Sequence, residues 1–548
     1  MLEANPVGVI LTGATTQKAL CQLYEDSERG KVREGKFLVV KSGSEGRRIL
    51  SRISRIIPQN EFYTEGDAWT EARRKQIEIP AQLARQYEVC ELDILAEMPG
   101  ARALTVPPYP NDKVYEMNLP EQSEEIFGLP TKSEGIIWYG TLVGYKNAPI
   151  PLDIGNIPMH IGIFGTTGSG KSFDTGALIE QLVKIYDKED RILAFPILII
   201  DASGDYLDYV DFFEEKKKFG AAANVTRYVF PKSPELSKLR VKPIAIDLNL
   251  MTKRDLAEAI VLYYSGGVKN ELQVTGIEKL LSFMEDSSLV SQGNYHSIFT
   301  DSDKFDQATE SVKDIGIHSA TAAAVLRALE KFSDIENEHN LLSQKPKLGK
   351  AFVDSLTKNR EIAIIDFSAA GAPGIAPTLK QFIMSYLASV LFRVFTEYKT
   401  TGEARYMLWI IEETQNYCPN LSTYSVGYSL AREKLSAIAT QGRKFGLSLC
   451  LISQRPSFVD QVVLSMCNSF FIHRISPEDV SFVKRVTGGL PKSLERRLTT
   501  LENGELIVSG QMLRIPFPML IRVPYPRLVP QTTGKTDVLE GLRRLAET

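Results

Sequence analysis

The residues Gly165-Thr166-Thr167-Gly168-Ser169-Gly170-Lys171-Ser172 have the spacing G-x-x-x-x-G-K-[ST]. Their chemistry is the capture of a triphosphate. Three glycines let the backbone turn its N–H groups inward on one point. A helix beginning near Lys171 would add the positive end of its dipole. Lys171 can reach the β- and γ-phosphates, and the Ser172 hydroxyl can ligate Mg²⁺. Phe173 follows directly, so Gly165–Phe173 is the expected ATP-binding stretch.

Three further groups could complete a hydrolase. Glu412-Glu413 ends the apolar run 406–411, the arrangement of a Walker B element. Glu412 is assigned to the metal, through water, and Glu413 to the attacking water. Gln454 ends the apolar LCLISQ run and is read as a sensor of the γ-phosphate or lytic water. Arg443, in GRKFG, is the first choice for a cation supplied to a neighbouring subunit's site, and Arg455 the second. Asp201 ends the run ILAFPILIID, at the strand end where open α/β sheets bind ligands, and is counted with the nucleotide contacts. His160, just before the loop's strand, is read as a packing or hydrogen-bonding residue.

These groups need strands that end together. IGIF (161–164) enters the phosphate loop as a buried strand, and Phe173–Tyr186 reads as the helix that follows. Apolar runs at 192–201, 243–249, 361–368, 405–411, 447–453 and 469–475 read as strands, most of them buried on both faces. The stretch 379–399 reads as a long helix, and GELIVSG and MLIRVPY as closing strands. The fold class is therefore α/β. It comprises a RecA-like P-loop ATPase core (135–250 and 346–548), a helical insertion at 251–345, and an N-terminal small β-barrel at 1–115 joined by a linker at 116–134. In the barrel, strands are expected at 7–13, 36–43, 47–57 and 89–98, and short helices at Thr70–Gln76 and Ala81–Tyr87.

Composition narrows the function. At 548 residues the chain is too long for one core, and its net charge of −3 gives no global attraction to nucleic acid. Any DNA contact must be a local surface. Candidates are the turn 371–377 with Lys380, and the SGGVKN turn with Lys269. The five cysteines form no C-x-x-C, which fits a reducing compartment. No apolar run approaches the length that spans a bilayer, and the expected location is the cytoplasm, away from membrane.

Several blocks coincide in a resemblance to the HerA family of hexameric DNA translocases, in the HerA/FtsK group. They are HIGIFGTTGSGKS (160–172), IIDASGDY (199–206), IIEETQNY (410–417), QGRKFGLSLCLISQRPS (441–457) and GELIVSG (504–510). VGVILTGATTQKAL (7–20) is similar to the opening of that family's HAS barrel. The chain has Asp201-Ala-Ser-Gly-Asp-Tyr206 and Glu413-Thr-Gln-Asn416 where the family often carries a histidine, which marks a divergent branch. The resemblance implies a homohexamer with ATP and Mg²⁺ between subunits and duplex DNA in the central channel. It also implies a partner docked on the barrel face: a NurA-like nuclease in DNA repair, or a nuclease or sirtuin-like NAD-consuming effector in bacterial antiviral members. A ring that chiefly scaffolds such an effector, with translocation incidental, is the rival reading.

Overall fold

The computed structural model describes all residues except 1–4, 29, 44–45, 81–85, 118–125, 131–132, 267, 425–429, 531–542 and 544–548. Most of the helix expected at Ala81–Tyr87, part of the expected linker and Gly267 of the SGGVKN turn lie outside the described residues.

The first unit is a closed antiparallel barrel of β1 (Gly8–Ile10), β2 (Lys18–Leu23), β3 (Phe37–Ser42), β4 (Arg47–Gln59), β5 (Tyr87–Met98) and β6 (Lys113–Glu116), in the order β1-β2-β5-β4-β3-β6. β2 goes beyond the strands expected from the sequence. Its inward residues Ala19, Cys21 and Leu23 are too few and small to stand out. A short helix α1 (Thr70–Arg74) lies between β4 and β5.

β3 shows why the barrel is not a free-standing module. Successive side chains of a strand point to opposite faces. Leu38 and Val40 fill the barrel interior, while Phe37 and Val39 join the core beneath the ATPase sheet, so all four are buried. Tyr145 Oη accepts the Phe37 N–H at 2.7 Å, and Ser493 Oγ donates to Asp93 at 2.7 Å, adding polar ties across the same seam.

In chain order the remaining strands are β7 (Ile136–Tyr139), β8 (Thr141–Leu142), β9 (Ile150–Asp153), β10 (Ile161–Phe164), β11 (Ile185–Tyr186), β12 (Ile192–Leu193), β13 (Ile197–Asp201), β14 (Val225–Val229) and β15 (Val241–Pro243), then β16 (Ile362–Asp366), β17 (Met407–Ile411), β18 (Leu447–Ser453), β19 (Ser469–Ile472), β20 (Glu505–Gly510) and β21 (Met519–Arg522). Eleven of them form one sheet, ordered β15-β14-β16-β13-β17-β18-β10-β19-β20-β21-β8. Pairing is parallel from β15 to β19 and antiparallel beyond. β13, β16 and β17 are buried at every position, as their unbroken Ile/Leu runs demand.

Helices cover both faces of the sheet. On one face lie α2 (Lys171–Leu182) and α3 (Asp208–Lys216). The other face carries α4 (Lys253–Ser265), α5 (Glu271–Asp286), α6 (His296–Thr300), α7 (Ser302–Ser311) and α8 (Ser319–Asn337), together with the 25-residue α10 (Pro377–Thr401), which follows α9 (Lys350–Asn359). α11 (Arg432–Gln441) precedes β18.

Two expected elements need correction. The helix expected over Phe173–Tyr186 starts at Lys171 and stops at Leu182, because Ile185–Tyr186 pairs with β12. The strand expected at 243–249 ends at Pro243. Beyond it the Ile246 N–H turns to Leu341 O, and Asp247 caps a 3₁₀ turn at Leu248–Leu250.

The double burial of β3 gives a test. Val39→Asp places an unpaired carboxylate between the barrel and the ATPase core. It should lower stability by about 3 kcal/mol or more, read as a fall in the unfolding temperature; an unchanged temperature would contradict the packing.

Candidate active site at the end of the parallel sheet

Strand register assembles the site. Phe164 at the end of β10 sits beside Ser453 of β18, and Ile411 of β17 beside Leu451 of the same strand. Gly165, Gln454 and Glu412 each follow one of these strand ends. One strand therefore separates the phosphate loop from the paired glutamates, and it carries Gln454.

The loop's shape is imposed locally. Gly168 and Gly170 hold φ of 73° and 104°, in the left-handed region that glycine tolerates. A Cβ on Gly165 would lie 2.5 Å from Ser169 Oγ and 2.7 Å from His473 Cβ. Thr166 anchors the loop to the next strand, giving its N–H (2.8 Å) and its hydroxyl (3.1 Å) to Arg474 O. The Lys171 ammonium folds back onto Thr166 O at 3.0 Å. Burial lowers its pKa, opposed by the negative charges of Glu413, Glu412 and Asp205.

A hydrogen-bond chain then crosses three strands. Thr167 Oγ1 donates to Gln454 Oε1 at 2.6 Å, and Gln454 Nε2 donates to Glu413 Oε1 at 2.5 Å. Gln415 Nε2 donates to the other Glu413 oxygen, and Gln415 Oε1 accepts from Ser453 Oγ at 2.8 Å. Glu413 itself is left-handed, at φ 47° and ψ 47°, which costs a non-glycine residue on the order of 1–3 kcal/mol. The structure thus brings Lys171, Thr167, Gln454 and Glu413 together.

Glu412 faces the other way. It is buried, and Oε2 accepts the Ala202 N–H at 3.1 Å. Burial, with Asp201 and Asp205 nearby, pushes its pKa well above the usual carboxylate range. Asp201 corrects an expectation. Its buried carboxylate accepts the N–H groups of Ser203, Gly204, Asp205 and Tyr206, so it is engaged in shaping the 202–206 turn. Burial pushes its pKa up to about 6.

The donor set suits magnesium. Ser172 Oγ makes no hydrogen bond among the described residues, and Glu412 adds a carboxylate. Among the described residues no three His, Cys, Asp or Glu side chains form a metal cage. Mg²⁺ is commonly held by one or two protein oxygens together with phosphate and water.

The two arginine candidates separate clearly. Arg455 is bound within its own chain, to Asp479 at 3.0 Å and Glu478 at 2.6 Å, and it lies over the Phe458 ring. Arg443 is exposed and forms no ion pair among the described residues. It precedes β18, so it lies at the end of the sheet opposite its own phosphate loop, about 20 Å away along the strand.

Sequence reasoning missed a second layer. Asp174, in the first turn of α2, accepts from Tyr139 Oη at 2.5 Å and meets His473 Nε2 at 3.0 Å, all three buried. This trio braces the loop's helix against β19. Gln415 and Arg474 were also missed. The available signal was a polar residue interrupting an apolar run, as in FFIHR and KSFDTGALI. Phe173 stacks on Tyr525, with ring centroids 6.5 Å apart.

Residues 137–391 match the family described as "Helicase HerA, central domain". The DNA double-strand break repair helicase HerA of Saccharolobus solfataricus is 24% identical, with 99% of this chain and 97% of that protein covered. The chain resembles the HerA helicases over nearly its whole length. A second HerA, from Sulfolobus acidocaldarius, is 22% identical over 93% of the chain and 92% of the relative. Among solved structures, the conjugative coupling protein TrwB aligns at 15% identity and TM-score 0.47, covering 73% of this chain and 92% of that one. VirB4 of Thermoanaerobacter pseudethanolicus aligns at 10% and 0.47, covering 72% and 97%. The phosphate loop between β10 and α2, at the end of the parallel sheet, gives this chain a P-loop ATPase fold.

His160 is structural, as expected. Its Nδ1 accepts the Leu449 N–H at 3.0 Å, so Nε2 carries the proton given to Ala439 O at 2.9 Å. Burial holds its pKa down to about 4, against an ordinary value of 6.5. Because the unfolded chain binds this proton more readily, the contribution is full above pH 6.5. It is lost as pH falls from there towards 4. His160→Gln should therefore flatten the acid limb of the stability profile between those values; an identical acid limb would contradict this reading.

Proposed function

We propose that the chain is an ATP-driven translocase or helicase on double-stranded DNA, working as a homohexameric ring with Mg²⁺. The ring serves a separate effector docked on the barrel face, a NurA-like nuclease or an NAD-consuming enzyme, in DNA-end processing or antiviral defence in the cytoplasm. The observation that carries the ATPase half is the chain of bonds from Thr167 through Gln454 to Glu413, which links the phosphate loop to a carboxylate in position to work on water.

Each residue then has a task. Lys171 exchanges its bond to Thr166 O for the β- and γ-phosphate oxygens. Gln454 orients the lytic water, and Glu413 accepts its proton. Ser172 and Glu412 would hold Mg²⁺, which when bound neutralises phosphate charge. Arg443 reaches the γ-phosphate of a neighbouring subunit, where the growing charge needs a cation from outside. The resemblance to HerA helicases supports the DNA half of the reading. The named relatives are DNA repair helicases, and no helix of the described residues is long and apolar enough to cross a membrane.

Lys171→Ala should abolish ATP hydrolysis, and normal turnover by that variant would overturn the site. Glu413→Gln should still bind ATP while hydrolysis falls by about 10²–10⁴; undiminished turnover would remove Glu413 from the mechanism. Mixing Arg443→Ala with Lys171→Ala subunits should restore hydrolysis above either alone. No rescue at any ratio, with mixed assemblies confirmed, would exclude Arg443 as the shared cation.

A further inference from the structure

The lysines expected to meet DNA are engaged elsewhere. Lys269 is bonded to Glu258 at 3.0 Å and Glu271 at 3.2 Å. Lys380 is half-buried and donates to Phe367 O at 2.7 Å. A cluster of cations, four of them arginines without ion pairs among the described residues, lies instead in a cleft of about 870 Å³ between the barrel and the ATPase core.

Five arginines and two lysines line that cleft, against a single lining glutamate, in a chain whose net charge is −3; of the lysines, Lys36 is paired with Glu116 and Lys31 donates to Asp26 O. Arg33, Arg52 and Arg55 come from the barrel side. Arg496 and Arg497 come from the short helix and turn at 492–497 of the ATPase core. The glutamate, Glu34, already accepts the Ile56 N–H. Arg52 is almost wholly buried, with a hydrogen bond to Pro518 O at 3.2 Å and a long contact to Asp93 at 3.5 Å. Burial lowers its pKa, and the nearby Arg497 adds to that.

The side chains of Arg33, Arg55, Arg496 and Arg497 form no ion pair or hydrogen bond among the described residues. Like charges drawn into one concavity repel, and low-dielectric walls concentrate their field. That arrangement raises the energy of the isolated chain and is relieved by a polyanion. Guanidinium forks suit phosphate oxygens bidentately. Two walls bearing such forks can track a backbone without reading its bases, as a motor that moves along any sequence requires.

We propose that this cleft binds the phosphate backbone of nucleic acid. The proposal rests on the DNA reading above and gives it a surface distinct from the loops at 371–377 and 265–270.

The test uses the full-length protein with Arg33→Glu and Arg496→Glu combined, both exposed positions. Binding to a mixed-sequence duplex is measured across a salt series. The pair should weaken binding about tenfold or more and reduce the slope of log affinity against log salt by about 2. The unfolding temperature and ATP hydrolysis without DNA should be unchanged. Undiminished DNA binding and slope in the variant would overturn the cleft alone, whereas a wild-type protein that binds no DNA would overturn the DNA reading with it. Altered subunit assembly with unchanged DNA affinity would reassign the arginines to contacts between copies. Preferential binding of polyglutamate over duplex would reassign them to an acidic protein segment.

Discussion

The parallel pairing of β10, β18 and β17 is the constraint on which the site depends. Each strand is short and wholly buried, so a slip of one residue would change which side chains fill the core on each face and shift the groups that follow the strand ends. Fixed register makes three unlike groups emerge together: a glycine loop, a glutamine and a pair of glutamates. Phosphate binding and water activation are coupled because Gln454 stands between them, bonded to Thr167 on one side and Glu413 on the other.

The surroundings explain how such a site holds its shape. Glu413 keeps an unfavourable left-handed backbone because Gln415 and Gln454 grip its carboxylate. Lys171 is held in a low-dielectric pocket among carboxylates, ready for phosphate oxygens. Behind the loop, Tyr139, Asp174 and His473 tie α2 to β19. Neither arginine candidate for completing the chemistry is free at this end of the sheet. Arg455 is bound in place, and Arg443 projects from the far end. In the proposed ring, one subunit's far end faces another's phosphate loop.

Local features were legible in the sequence. The phosphate loop is contiguous, and the strands that carry Glu413 and Gln454 announce themselves as apolar runs ending in a polar residue. What escaped depends on distant partners. Asp174 and His473 meet across 299 positions, and nothing in either neighbourhood points to the other. Asp201 reads as a ligand contact because it ends a strand, yet four N–H groups of its own turn bind its carboxylate. Lys269 reads as a free loop cation until α4 folds back to supply Glu258. The basic cleft is the clearest case. Its arginines come from positions 33–55 and 496–497, and only docking of the barrel on the ATPase core makes them one surface.

The central claim is that each phosphate loop is half of a site finished by another copy of the chain. Hydrolysis per subunit, measured over a dilution series while assembly and nucleotide binding are followed in parallel, tests it most directly. The account predicts that dilution below the assembly threshold extinguishes hydrolysis while isolated subunits still bind ATP. Full hydrolysis by dissociated monomers would contradict it.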